Sequence, residues 1–126
     1  MNDEGSGALS KALADTDSRV KLAGLGSAGR VNTFSDIGSV SALLGDGDAQ
    51  VRRRAAEVLD QMHAKDSVGA LVAMAQNDPD ANARGAACHA LGTIGDASAK
   101  TALTAIAAND SDSLVRDLAQ MALLQL

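Results

Sequence analysis

The stretch "DPDANARGAACHALGTI", residues 78–94, decides the fold. Its small apolar residues Ala83, Ala86, Ala87, Ala90, Leu91 and Ile94 recur at helical spacing, so the segment reads as one helix, called helix A here. Asp78 ahead of Pro79 is a start signal, an acceptor side chain followed by proline at the first helical position, and Gly92 is a stop signal. The expectation is a helix over roughly 79–91. A lone helix of this kind cannot bury its apolar face, and the chain supplies copies of it. "DGDAQVRRRAAEVLDQM" from Asp46 and "DSDSLVRDLAQMALLQL" from Asp110 align with it without gaps. Asp46, Asp78 and Asp110 open the copies, Asp48, Asp80 and Asp112 follow two residues later, and Arg52, Arg84 and Arg116 come next. Leu59, Leu91 and Leu123 share a core column. A fainter first copy, "DTDSRVKLAGLGSAGRV", sets Asp15, Asp17, Val20 and Lys21 on the columns of Asp46, Asp48, Val51 and Arg52.

A second apolar segment, helix B, follows each copy: Val68, Leu71, Val72 and Met74 after the cap-like Asp66, then Ala99, Ala102, Leu103 and Ile106 after Asp96. The early segment "GALSKALAD" matches it through Leu9 and Leu13. The order is therefore B, then A–B three times, then a last A. Two helices in a period of about 32 residues predict an all-α solenoid of about eight helices. We expect one domain over 8–126 after a disordered tail at 1–7, with repeats at about 15–45, 46–77 and 78–109 and a half repeat at 110–126.

Composition agrees. Phe34 is the only aromatic residue in 126, so close packing has to come from helices approaching along alanine-lined faces. The net charge of -5 and the scattered basic residues speak against nucleic acid or an anionic membrane as partner. No long apolar run or charged leader is visible, and the single Cys88 suits a reducing compartment, so a cytoplasmic location is expected.

Gly24, Gly26 and Gly29 have the spacing G-x-G-x-x-G, which in a dinucleotide-binding fold marks a pyrophosphate loop. That loop requires a strand before the glycines and a helix after them. "RVNTFSDIG" after them is not a helix, and Gly24 and Gly29 fall on the columns of Ala87 and Gly92. Nucleotide binding through these glycines is kept as a second alternative.

The pattern D-x-D-x-x-V-R-x-x-A-A-x-x-L-G-x-I-G-D, nearly whole from Asp78 to Asp96, resembles HEAT-like repeats of the phycobilisome-lyase type, over about 110 residues. The resemblance implies a non-enzymatic scaffold or adaptor that binds a protein partner, with a bilin-lyase-like or chaperone subunit acting with a partner as the alternative. It also implies that Asp46, Asp78 and Asp110 form a structural ladder with Arg52, Arg84 and Arg116, and that helix B lines the concave side, where its outward residues Ser39, Ala42, Gly69, Ala73, Thr101 and Thr104 are small and uncharged. The first copy departs from the pattern in Lys21 and its glycines. Di-iron hydroxylases with paired His-Glu dipeptides belong to the same family, but His63 and His89 are each followed by alanine.

No catalytic, cofactor or metal set emerges from the residues themselves. His63 and His89 sit in different repeats, Cys88 is expected to be packed and His89 exposed, and Arg53 and Arg54 read as solvated neighbours of Arg52 within reach of Glu57. In the last copy Leu118, Met121 and Leu124 replace residues that are polar or small in the inner copies. They are a candidate interface, for a homo-oligomer or a partner, at an end where helix A has no helix B after it.

Overall fold

The computed structural model describes residues 3–31 and 34–126. Eight α-helices follow one another: α1 (Asp3–Leu13), α2 (Ser18–Arg30), α3 (Ile37–Ala42), α4 (Ala49–Gln61), α5 (Val68–Asn77), α6 (Ala81–Ile94), α7 (Lys100–Asn109) and α8 (Ser113–Leu123). Short 3-10 turns extend α3 at Leu43–Gly45 and lead into α5 and α7 at Lys65–Ser67 and Ala97–Ala99. The even helices are the A helices of the sequence and the odd ones the B helices. Helical backbone reaches back to Asp3, so residues 3–7 belong to α1 and not to a tail. Gly5 and Gly7 disfavour helix only as a weak local preference.

The repeat motif starts each even helix two residues later than Pro79 suggests. The capping residues are Asp17, Asp48, Asp80 and Asp112, the second Asp of each D-x-D. Asp80 accepts the amide of Ala83 at 3.1 Å, and its carbonyl accepts the amide of Arg84 at 3.0 Å. Such a cap stabilises a helix by about 1 kcal/mol. Nor does α6 stop at Gly92. It runs on to Ile94 and ends at Gly95, whose φ of 75° is left-handed and suits a residue without a Cβ. The same column in the preceding repeat holds His63, at φ 50°. Asp66 caps nothing: it lies in the 3-10 turn, and α5 starts without a side-chain cap.

Helix pairing differs from the A–B grouping. Each odd helix packs against the even helix that follows it, α1 on α2, α3 on α4, α5 on α6 and α7 on α8, while α4–α5 and α6–α7 make few contacts. The chain is four complete B–A hairpins, and the expected half repeat at 110–126 is the second arm of the fourth. Even helices also stack closely on one another, α2 on α4 on α6 on α8, whereas odd helices meet their own kind only sparsely. The odd layer is therefore splayed, and the even layer takes the inner side of the curve. This reverses the expected placement of the B helices: Ala42, Gly69, Ala73, Thr101 and Thr104 are exposed, but on the outer layer.

Glycine and alanine make the close stacking possible. A Cβ built on Gly92 would lie 2.8 Å from Cα of Ala122, and one on Gly85 would lie 2.9 Å from Cδ1 of Leu118. Between the layers, Val51, Ala55, Val58, Leu59, Leu71, Ala83, Ala87, Leu103 and Ala119 form one fully covered core. Leu123, on the column of Leu59 and Leu91, is only partly buried because no further hairpin covers it among the described residues.

Candidate functional site

The D-x-D motif and the arginine five residues beyond it build one continuous structure along the array. Within each D-x-D the first carboxylate accepts the amide of the second Asp: Asp15 from Asp17 at 2.8 Å, Asp46 from Asp48 at 3.0 Å, and Asp78 from Asp80 and Asp110 from Asp112 at 2.9 Å. This Asx turn presents the carboxylate to the previous repeat. Arg52 donates to both oxygens of Asp78, from Nε at 2.8 Å and Nη2 at 3.1 Å, and Arg84 does the same to Asp110, at 2.9 and 3.1 Å. The remaining nitrogen, Nη1, donates to the carbonyl oxygen that opens the arginine's own repeat: Arg52 to Asp46 at 2.8 Å, Arg84 to Asp78 at 2.9 Å and Arg116 to Asp110 at 2.6 Å. Each inner guanidinium thus ties its own repeat to the next through a bidentate, charge-assisted fork.

All six ladder residues named from the sequence are in place, but the two Asp columns divide the work. The first Asp bridges repeats and the second caps the helix. The signal for this division is the recurrence of Asp in all four copies two residues after the first. In the first repeat Lys21 stands for arginine and pairs with Asp46 as a point charge, without the second arm that would reach the carbonyl of its own repeat. Electrostatics follow from this geometry. Burial raises the Asp110 carboxyl, but the fork from Arg84, the Asp112 amide and the charges of Arg84 and Arg116 outweigh it and hold the group below the usual carboxylate range. Asp46 is lowered in the same balance, against burial, by Lys21, the Asp48 amide and Arg52.

Gly24, Gly26 and Gly29 all lie inside α2, not on a strand-to-helix turn. Gly24 admits Ala12 and Leu13 of α1, and Gly29 sits against the Gln61 side chain of α4. The cleft beside Gly29, about 280 Å³, is lined by residues including Ala28, Phe34, Gln61 and Met62, with no Lys or Arg among the described residues of its wall to meet a phosphate. The motif is helix packing with an accidental spacing.

Cys88 is buried, and that burial, with the Asp110 charge, pushes its thiol up to about 12, far from a reactive thiolate. His89 is 59% exposed and its Nδ1 pairs with Asp60 of the preceding even helix. His63 closes α4. No group of three or more His, Cys, Asp or Glu converges among the described residues. Arg54 and Arg53 meet Glu57 at 3.0 and 3.9 Å, as the helical spacing predicts.

The C-terminal stripe is redrawn. Leu118 is partly buried, folded onto α6 over Gly85. Met121 and Leu124 are 57% and 87% exposed, and Leu114, which sequence reasoning missed, is 59% exposed one and two turns of α8 away. Spacing alone could have found Leu114, since 114, 121 and 124 share a face that Leu118 leaves.

Four hairpins in two layers, joined by a repeated Asp–Arg fork, define an α-solenoid of helical repeats. The sequence profile of HEAT repeats matches residues 37–124, and the chain belongs to that family. Its backbone is similar to that of human deoxyhypusine hydroxylase, solved in complex with glycerol, with a TM-score of 0.82 at 24% identity. The likeness takes in 95% of this chain and 42% of the hydroxylase, so this chain spans less than half of that protein. No curated protein matches the sequence. No helix among the described residues is long and apolar enough to cross a membrane.

Proposed function

We propose that this chain is a non-enzymatic scaffold that binds a protein partner through the faces of its repeat array. One observation supports this above all: the recurring chemistry-bearing columns are used up inside the molecule. Arg52 and Arg84 each spend the fork on the next repeat and the third nitrogen on their own backbone. Cys88 is shielded and His89 is engaged by Asp60. Outside, Ala42, Gly69, Ala73, Thr101 and Thr104 leave an uncharged outer layer with short side chains, which a partner helix can approach closely.

The test is capture of partners from the source cells, followed by reconstitution with the purified chain. A direct complex that survives the triple variant His63→Ala/Cys88→Ser/His89→Ala and is lost with Ala73→Glu/Thr104→Glu supports the scaffold. A covalent change in the captured protein on incubation with the purified chain, seen by mass and abolished in the triple variant, overturns it in favour of an enzyme.

A further inference from the structure

The ladder is open at both ends, and the ends are complementary. At α8 the Arg116 guanidinium donates only through Nη1, to the carbonyl of Asp110. Its Nε–Nη2 edge, which in Arg52 and Arg84 grips the carboxylate of the next repeat, meets no carboxylate among the described residues. At the other end Asp15 has the same Asx turn as Asp46, Asp78 and Asp110, with the Asp17 amide on one oxygen, and no cation reaches it among the described residues. One end is a prepared fork without a carboxylate and the other a prepared carboxylate without a fork.

The helix faces beside these groups match in the same sense. In the interior, the side of an even helix that receives its successor carries Gln50, Glu57 and Asp60 in α4 and Asn82, His89 and Gly92 in α6. The corresponding positions of α8 are Leu114, Met121 and Leu124, all well exposed. The side that meets a predecessor includes Val51, Ala83 and Val115, each at most 1% exposed, and its counterpart in α2 is Val20, at 37%. Ala23 and Arg30, further along that side of α2, are exposed too.

We infer that the open face of α8 takes a second copy of this chain, stacked head to tail, with Arg116 of one copy gripping Asp15 of the next and Leu114, Met121 and Leu124 covering Val20 and Ala23. Such a contact is heterologous and repeats the stacking already used between hairpins, so it extends into longer arrays or closes into a ring. Opposite charges select this arrangement over a tail-to-tail dimer, which would set two Arg116 side chains against each other. The inference does not rest on the scaffold reading and stands or falls separately from it.

The test is sedimentation equilibrium of the 126-residue chain, 12.7 kDa, over a wide concentration range, with charge-reversal variants. The wild type is expected to associate to multiples of this mass. Arg116→Asp and Asp15→Arg should each weaken self-association about tenfold or more, since each faces like charges across the contact. Mixing the two variants in equal amounts should restore association, because each supplies the end the other lacks. Met121→Glu, at an exposed site, should also give monomers with unchanged helical circular dichroism. A wild type that is monomeric throughout overturns the inference. So does association that Met121→Glu abolishes but Asp15→Arg leaves intact, since that pattern describes a tail-to-tail dimer. If Arg116→Asp fails to fold, Asp15→Arg and Met121→Glu decide the question alone.

Discussion

Replacing Arg84 with alanine cuts the ladder at its centre, and the structure sets the size of the effect. The substitution removes the two bonds to Asp110 and the one to the Asp78 carbonyl. Arg84 and Asp110 are only 13% and 8% exposed at their side chains, so water cannot fully take over the abandoned carboxylate, which keeps just the Asp112 amide. Removing one partner of a fully buried pair costs about 3–5 kcal/mol, and this pair lies at the edge of the core, so about 3 kcal/mol is expected. In a domain of this size that lowers the melting temperature by roughly 10 °C. Arg53, 46% exposed and 3.9 Å from Glu57, is the control, with an expected cost of about 0.5 kcal/mol or less. Arg116→Ala should fall between them, since it loses only the bond to the Asp110 carbonyl.

The linkage to pH has a definite sign. Asp110 is lowered below its ordinary value of 3.8 in the folded state, so its stabilisation is complete above that value and is lost as pH falls through the depressed folded value. Chemical denaturation of wild type, Arg84→Ala, Arg53→Ala and Arg116→Ala from neutral pH into acid tests both parts. The gap between wild type and Arg84→Ala should hold at neutral pH and close below about pH 4. Equal costs for Arg84→Ala and Arg53→Ala, or a gap that persists unchanged in strong acid, would refute the ladder as a source of stability.

Three other outcomes follow from single positions. His63→Gly should raise stability by about 1 kcal/mol in denaturant melts, because it relieves a left-handed φ of 50° at an exposed site, and Gly95→Ala should lower it by a similar amount. Gly92→Ala should destabilise by about 1–3 kcal/mol although alanine favours helix by about 1 kcal/mol, because the new Cβ meets the Ala122 backbone at 2.8 Å; a gain in melting temperature would show that α6 and α8 are less tightly apposed. Cys88 should resist a thiol reagent at mildly alkaline pH in the native protein and react fully once unfolded, given its burial and a thiol raised to about 12; prompt native reaction would mean that the core opens there.

The sequence by itself determined the period, the helical class and the columns that matter. These are local or translational properties: an apolar stripe at Val51, Ala55, Val58 and Leu59 specifies a helix face wherever the helix is placed, and Asp78 recurring after Asp46 needs no coordinates to be noticed. It also foretold Arg54 and Arg53 on Glu57, because spacing along one helix fixes that proximity. What the tertiary structure alone decided depends on distances between helices. Pairing of α5 with α6 and not with α4 turned an apparent half repeat into a fourth hairpin. Close stacking of the even helices made Gly92 a contact point instead of a helix stop, and folded Leu118 over Gly85 while leaving Leu114 outside. The division of labour in D-x-D belongs to the same class, since only the arrival of Arg52 from the neighbouring repeat reserves Asp78 for bridging and leaves capping to Asp80. A repeat pattern encodes what each helix offers; which offer is taken up is settled by how near the next helix can come.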